Sequence, residues 1–140
     1  MTNNPYAKIK QTSIMTASPQ ELTLMLYDGA IKFANQAVQA IKVENSKLAH
    51  EKIIRVEDII LEFMASLDHN YEVATNMELM YDYIYHRLVD ANVKKDASVV
   101  EEVIGYLREF RDSWKQAMDL AKNPKPNQES TNGMYEQRAL

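Results

Sequence analysis

No proline falls between Pro19 and Pro124, and the only glycines in that span are Gly29 and Gly105. A stretch so free of helix breakers, with apolar residues recurring at helical spacing, leaves little choice but a set of helices. Start and stop signals divide it into four. Ser18-Pro19-Gln20-Glu21 places Ser at an N-cap, Pro at the first helical position and Glu at the third, which is a capping box. That helix runs to about Ile41 and breaks at Glu44-Asn45-Ser46. A second runs from about Lys47 to Leu67, with Ile53, Val56, Ile60, Phe63, Met64 and Leu67 on one face. Asp68-His69-Asn70 ends it. Thr75-Asn76-Met77-Glu78 offers a capping box for the third, with a start a turn earlier, near Tyr71, as the alternative. Asn92, tolerant of left-handed backbone, marks its end. After a loop over Val93–Asp96, Ser98 and Glu101 supply a capping pair for a fourth helix from about Ala97 to Lys122.

Four helices on short loops predict an all-α, antiparallel up-down-up-down bundle. Residues 18–122 form it, residues 1–17 read as an N-terminal strap, and the polar residues 123–140 as a mobile, disordered tail. One domain of this size buries an adequate core without staples, and there is no cysteine to supply any. The net charge of −4 argues against a nucleic-acid binder. No apolar run approaches the ~20 residues of a membrane span, and no signal-peptide core opens the chain. A reducing cytoplasm fits the lack of cysteine.

The helix faces differ in width. On the fourth helix Val99, Val103, Leu107, Phe110, Trp114, Ala117, Met118 and Ala121 make a single core-facing stripe. On the third, Met77, Met80, Tyr81, Ile84, Tyr85 and Leu88 do the same, with Tyr83 pointing away. The first helix carries two stripes. Leu22, Leu26, Gly29, Phe33, Ala37 and Ala40 form one; Leu24, Tyr27, Ile31 and Val38 form another on nearly the opposite side. Together they cover roughly 220°, against the ~100° that a surface helix needs. Two readings are open: a helix buried deeply in its own bundle, or one that packs on the core with one side and on a further segment with the other. The second helix favours the further segment, because Ile54 and Leu61, with Ala65, lie on a flank outside its core stripe. Leu24, Ile31 and Val38, spaced by seven, then read as groove anchors for a helical partner, and Tyr6, Ile9, Ile14 and Met15 as strap residues able to cover the groove. Gly29 reads as a point of close approach, and Asp28 with Lys32 as a solvated ion pair.

Catalytic patterns are missing. The residues three before His50, His69 and His86 are Lys47, Ser66 and Tyr83, so the Glu-x-x-His of di-iron bundles does not occur. His50-Glu51 lacks the second histidine of a zinc-protease helix, since position 54 is Ile. Asp82 and His86 read as a surface pair. The glycines are isolated, so no phosphate loop forms. The expectation is a binding protein, not an enzyme, with no metal and no cofactor.

Three stretches carry a resemblance. Thr16-Ala17-Ser18-Pro19…Glu21-Leu22…Met25-Leu26-Tyr27-Asp28-Gly29-Ala30, Met80-Tyr81-Asp82-Tyr83…Arg87-Leu88…Ala91-Asn92, and Phe110-Arg111-Asp112…Trp114-Lys115-Gln116-Ala117 resemble the flagellar secretion chaperone family FliS, with Asn4-Pro5-Tyr6 matching its N-terminal tyrosine. The resemblance spans about residues 4–122. Ile9 stands where some relatives carry a second aromatic residue. The resemblance implies a cytosolic chaperone that binds the disordered C-terminal segment of flagellin. It would prevent premature polymerisation and help deliver the subunit to the flagellar type III export apparatus, whose components are further expected partners. The strap would cover part of the client surface when no client is present. The expected partner-binding residues are Tyr6, Ile9, Leu24, Tyr27, Ile31, Val38, Ile54 and Leu61. The alternative is a small helical adaptor that homodimerises through its apolar first helix; a client-free homodimer belongs to the same expectation.

Overall fold

The computed structural model describes residues 16–123. Four α-helices follow one another: α1 Pro19–Lys42, α2 Ser46–Ala65, α3 Val73–Lys94 and α4 Ala97–Lys122. Each helix packs on its neighbour in sequence, and α1 closes the ring against α4. The result is the expected antiparallel bundle. The strap, apart from its last two residues, and nearly all of the tail lie outside the described residues.

Local chemistry sets the boundaries. Ser18 Oγ accepts from Glu21 N at 3.1 Å and donates to the Glu21 carboxylate at 3.1 Å, so α1 starts at its capping box. Asn45 caps α2 through Leu48 N. Two expected caps are replaced. Thr75 lies inside α3, which begins at Val73 behind a helical Glu72 that makes no side-chain cap. At α4 the cap is Asp96 instead of Ser98: its carboxylate accepts from Ser98 N at 3.0 Å and Ser98 Oγ at 2.6 Å. These bonds to Ser98 hold the Asp96 carboxyl below its ordinary range. Asn92 is not the left-handed terminus of α3. Lys95 is, at φ 51°, with its ammonium bonded to the Asn92 carbonyl and side chain. The loop between α3 and α4 is thereby cut to Lys95-Asp96.

Ile53, Val56 and Ile60 of α2, Ile84 and Leu88 of α3, and Val100, Val103 and Leu107 of α4 are wholly out of solvent. Each such side chain stabilises the fold by about 1.5–3 kcal/mol relative to exposure. From α1 the core takes mostly alanines: Ala30, Ala34, Ala37 and Ala40. Small residues let α1 sit close, which spreads its flanking side chains onto both neighbours. On α4, Val100 and Ile104 join the core, while Ala117 and Ala121 near its end are exposed. Met80 is also exposed, at the rim of α3.

Midway along the bundle one aromatic ring from each helix meets the next. Tyr27 lies 4.5 Å from Phe63, Phe63 lies 5.5 Å from Tyr81, and Tyr81 lies 5.7 Å from Phe110, centroid to centroid. The Tyr27 and Tyr81 hydroxyls share a buried hydrogen bond of 2.6 Å across the diagonal. Burial raises both phenols above their ordinary range.

Gly29 departs from its expected role. A Cβ built there would meet only Ile59 Cδ1, at 3.9 Å, an ordinary van der Waals distance to a flexible tip. Gly29→Ala should therefore stabilise the protein, by up to about 1 kcal/mol from backbone propensity; a lowered urea midpoint would contradict this. Removing one hydroxyl of the tyrosine pair should do the opposite. Tyr81→Phe leaves the Tyr27 hydroxyl buried and unpaired, at a loss of about 1–3 kcal/mol. Tyr27→Phe/Tyr81→Phe should lose less than the sum of the single variants, with a coupling of about 0.5–3 kcal/mol in a urea double-mutant cycle. Strict additivity would show that the bond does not couple the two helices.

Candidate binding surface

The eight residues expected to bind a partner separate into three groups. Tyr6 and Ile9 lie outside the described residues. Of the first-helix group, Tyr27 and Val38 are each only 4% exposed and belong to the core, while Ile31 is half-buried and packs against it. Leu24 is half-buried. The expectation that this stripe faces outward is corrected for Tyr27 and Val38, and α1 is also tied to α4 on this side. Asp28, one turn beyond Leu24 and just before Ile31, pairs with Arg111 of α4 at 2.5 Å. Trp114 Nε1 donates to the Gln20 carbonyl at 3.0 Å. Tyr27 of the second stripe turns inward, to Phe63 of α2 and Tyr81 of α3. The first stripe turns to α2, where Gly29 faces Ile59 and Phe33 lies under Lys52 and Arg55, at 5.4 and 5.6 Å from its ring centre. What α1 leaves to solvent is mostly polar, Glu21, Asp28, Lys32, Asn35 and Gln39, with Leu22 as an exposed apolar residue in its first turn. Asp28 finds its partner across the bundle in Arg111 instead of along the helix in Lys32.

The α2 flank behaves otherwise. Ile54 is 37% and Leu61 45% exposed. They lie two turns apart on one face, and Ile54 is one turn beyond His50, whose Nδ1 is 2.9 Å from the Asn92 amide of α3. The stripe therefore runs along the edge of α2 that looks toward α3. Between its two apolar residues is Glu57, only 6% exposed, the one buried charged residue among those described. Sequence reasoning missed it. The signal was there in its spacing: it follows Ile53 by four and precedes Ile60 by three, both core residues.

The apolar surface left by α3 was also missed. Val73 and Leu79 are exposed, Leu79 at 65%, and Tyr71 precedes them. Tyr83 is not idle on this helix. Its hydroxyl donates to Glu102 of α4 at 3.0 Å, and its ring meets that of Tyr106 edge-on. Glu102 also receives Arg87 at 2.7 Å and Tyr106 at 3.1 Å. The Arg87 bond holds the Glu102 carboxyl below its ordinary range.

No group of three or more potential metal ligands occurs among the described residues. Asp82 and His86 form an exposed surface pair at 3.5 Å. Nor is any described helix long and apolar enough to cross a membrane.

The family model described as flagellar protein FliS matches residues 2–121. The chain belongs to the FliS family. The FliS protein of Bacillus subtilis, a flagellar secretion chaperone, is 47% identical over 115 residues, covering 82% of this chain and 86% of that one. The Salmonella typhimurium FliS is 35% identical over 119 residues, covering 79% and 85%. A crystal structure of a flagellar chaperone from bacteria shares the fold, with a TM-score of 0.68 at 16% identity over 82% of this chain and 98% of that one. The family is one of secretion chaperones for the flagellum, not of enzymes.

The half-buried residue of α1 and the exposed pair of α2 should respond differently to charge. Ile31→Lys should lower the melting temperature sharply, because it forces an ammonium against the core. Ile54→Lys and Leu61→Lys should leave circular dichroism and melting close to wild type. A well-folded Ile31→Lys variant would return Ile31 to the surface.

Proposed function

We propose that this protein is a cytosolic export chaperone whose client is the disordered C-terminal segment of flagellin. It holds that segment away from polymerisation and presents the subunit to the flagellar type III export apparatus. Membership of the FliS family, with a 47% identical relative named as a flagellar secretion chaperone, carries the reading. The surface supports it. A disordered segment loses conformational entropy on binding and needs apolar burial to offset that loss. Ile54 and Leu61, at i and i+7, suit a helix laid along α2, and Val73, Leu79 and Met80 extend the apolar surface onto α3. Leu24, half-exposed at the α1–α4 seam, is a further contact in this reading, and Tyr6 and Ile9 are strap residues that compete for or join the client site.

The alternative, a homodimer through α1, has less apolar surface to use, because Tyr27, Ala37, Val38 and Ala40 of that helix are in the core and, of its large apolar residues, only Leu22 is exposed. Titration calorimetry with a flagellin C-terminal peptide should give a complex with a negative heat-capacity change, the mark of apolar burial. Absence of binding at micromolar concentration would refute the reading, and a dimeric client-free protein in sedimentation would revive the alternative.

A further inference from the structure

Glu57 is misplaced by the standards of a stable core. Its Oε2 is out of solvent and has no hydrogen-bond partner. Burial, and Asp58 beside it, hold its carboxyl above the ordinary range, with His50 pulling the other way. Both of these are on α2 itself. What α3 presents nearby is neutral, the Asn92 amide bonded to His50. A buried carboxylate oxygen with no partner opposes folding, and a position that works against stability marks a site kept for another purpose.

The surroundings define what would satisfy it. Ile54 lies three residues before Glu57 and Leu61 four after, both exposed on the same stripe. Asp58 next to it is exposed and adds negative charge, in a chain of net charge −4. The strip is apolar, acidic, apolar over two helical turns. An ionised carboxylate only accepts hydrogen bonds, and it binds cationic donors most strongly. We propose that Glu57 is the anchor for a Lys or Arg side chain of the docked client segment, gripped between apolar client residues that rest on Ile54 and Leu61. The carboxylate meets the cation by rotating about its own side-chain torsions. The site deepens the chaperone reading and rests on it.

The proposal has a pH signature. A carboxyl held above its ordinary range is partly protonated in mild acid, and pairing with a cation requires the ionised form. Binding therefore releases a proton, and affinity rises as pH increases through the raised value. Titration of the full-length protein with the flagellin C-terminal peptide at about pH 5, 6, 7 and 8 tests this. Wild type should bind more tightly toward the alkaline end. Glu57→Gln should bind about tenfold or more weakly at about pH 8 and lose most of the pH dependence. Its melting temperature should equal or exceed that of wild type. Replacing the basic residues of the peptide by Gln, one at a time, should reveal one whose loss weakens wild type but makes no further difference to Glu57→Gln. If Glu57→Gln binds like wild type with the same pH profile, the anchor is overturned and the chaperone reading stands. If wild type fails to bind the peptide at every pH, both fall.

Discussion

Near its middle the bundle is tied by one ring from each helix. Tyr27, Phe63, Tyr81 and Phe110 succeed one another around the core, and the two phenols close the diagonal with a hydrogen bond of 2.6 Å. This tier fixes more than contact area. A hydroxyl buried in an apolar interior needs a partner, and each tyrosine has the other. Slippage of α1 against α3 by even one turn would strand both. Apolar layers above and below could repack at modest loss; the tyrosine pair tolerates only one register. The alanines of α1 and the isoleucines and valines of α2 and α4 then fill space around a fixed axis.

That register explains the use of α1. With Tyr27 pointing at the diagonal, Gly29 and Phe33 turn to α2, and Asp28 and Ile31 turn to α4. Arg111 and Trp114 of α4 meet α1 at Asp28 and at the Gln20 carbonyl. Most of both apolar stripes is consumed, and the helix shows solvent a mainly polar face with Leu22 in its first turn. The larger exposed apolar residues are elsewhere, Ile54 and Leu61 at the edge of α2 and Val73 and Leu79 in the N-terminal half of α3.

Charged groups at the seams are mostly partnered, although Gln36 Oε1 and Arg87 Nε, like Glu57 Oε2, are buried without a hydrogen bond. Glu102 takes three donors from Arg87, Tyr83 and Tyr106, joining α3 to α4. Asp28 takes Arg111, and His50 meets Asn92. Each lies at the rim and is partnered, where water limits both the gain and the penalty. Glu57 is buried and unpartnered. The bundle would be better served there by an apolar residue, and this contrast singles the position out.

The four helices and their antiparallel order were legible in the chain, because periodicity, caps and short loops act locally and agree with one another. Ser18, Pro19 and Glu21 start α1 where their chemistry says they should. Family membership was legible too, in motifs such as Leu26-Tyr27-Asp28-Gly29 that survive as strings. Local rules erred where two signals competed: Asp96 outbid Ser98 as a cap, and α3 started before Thr75 because packing of Ala74 into the core favours helix there. Only the tertiary structure decided which apolar residues are free. The arc of α1 is wide in sequence whether its second side meets a partner or α4, since the side-chain chemistry needed for the two is the same. Periodicity gives the angle of a residue about its own axis but not what occupies that direction. The same ignorance hid Glu57, polar by composition and buried only because α2 lies against α3.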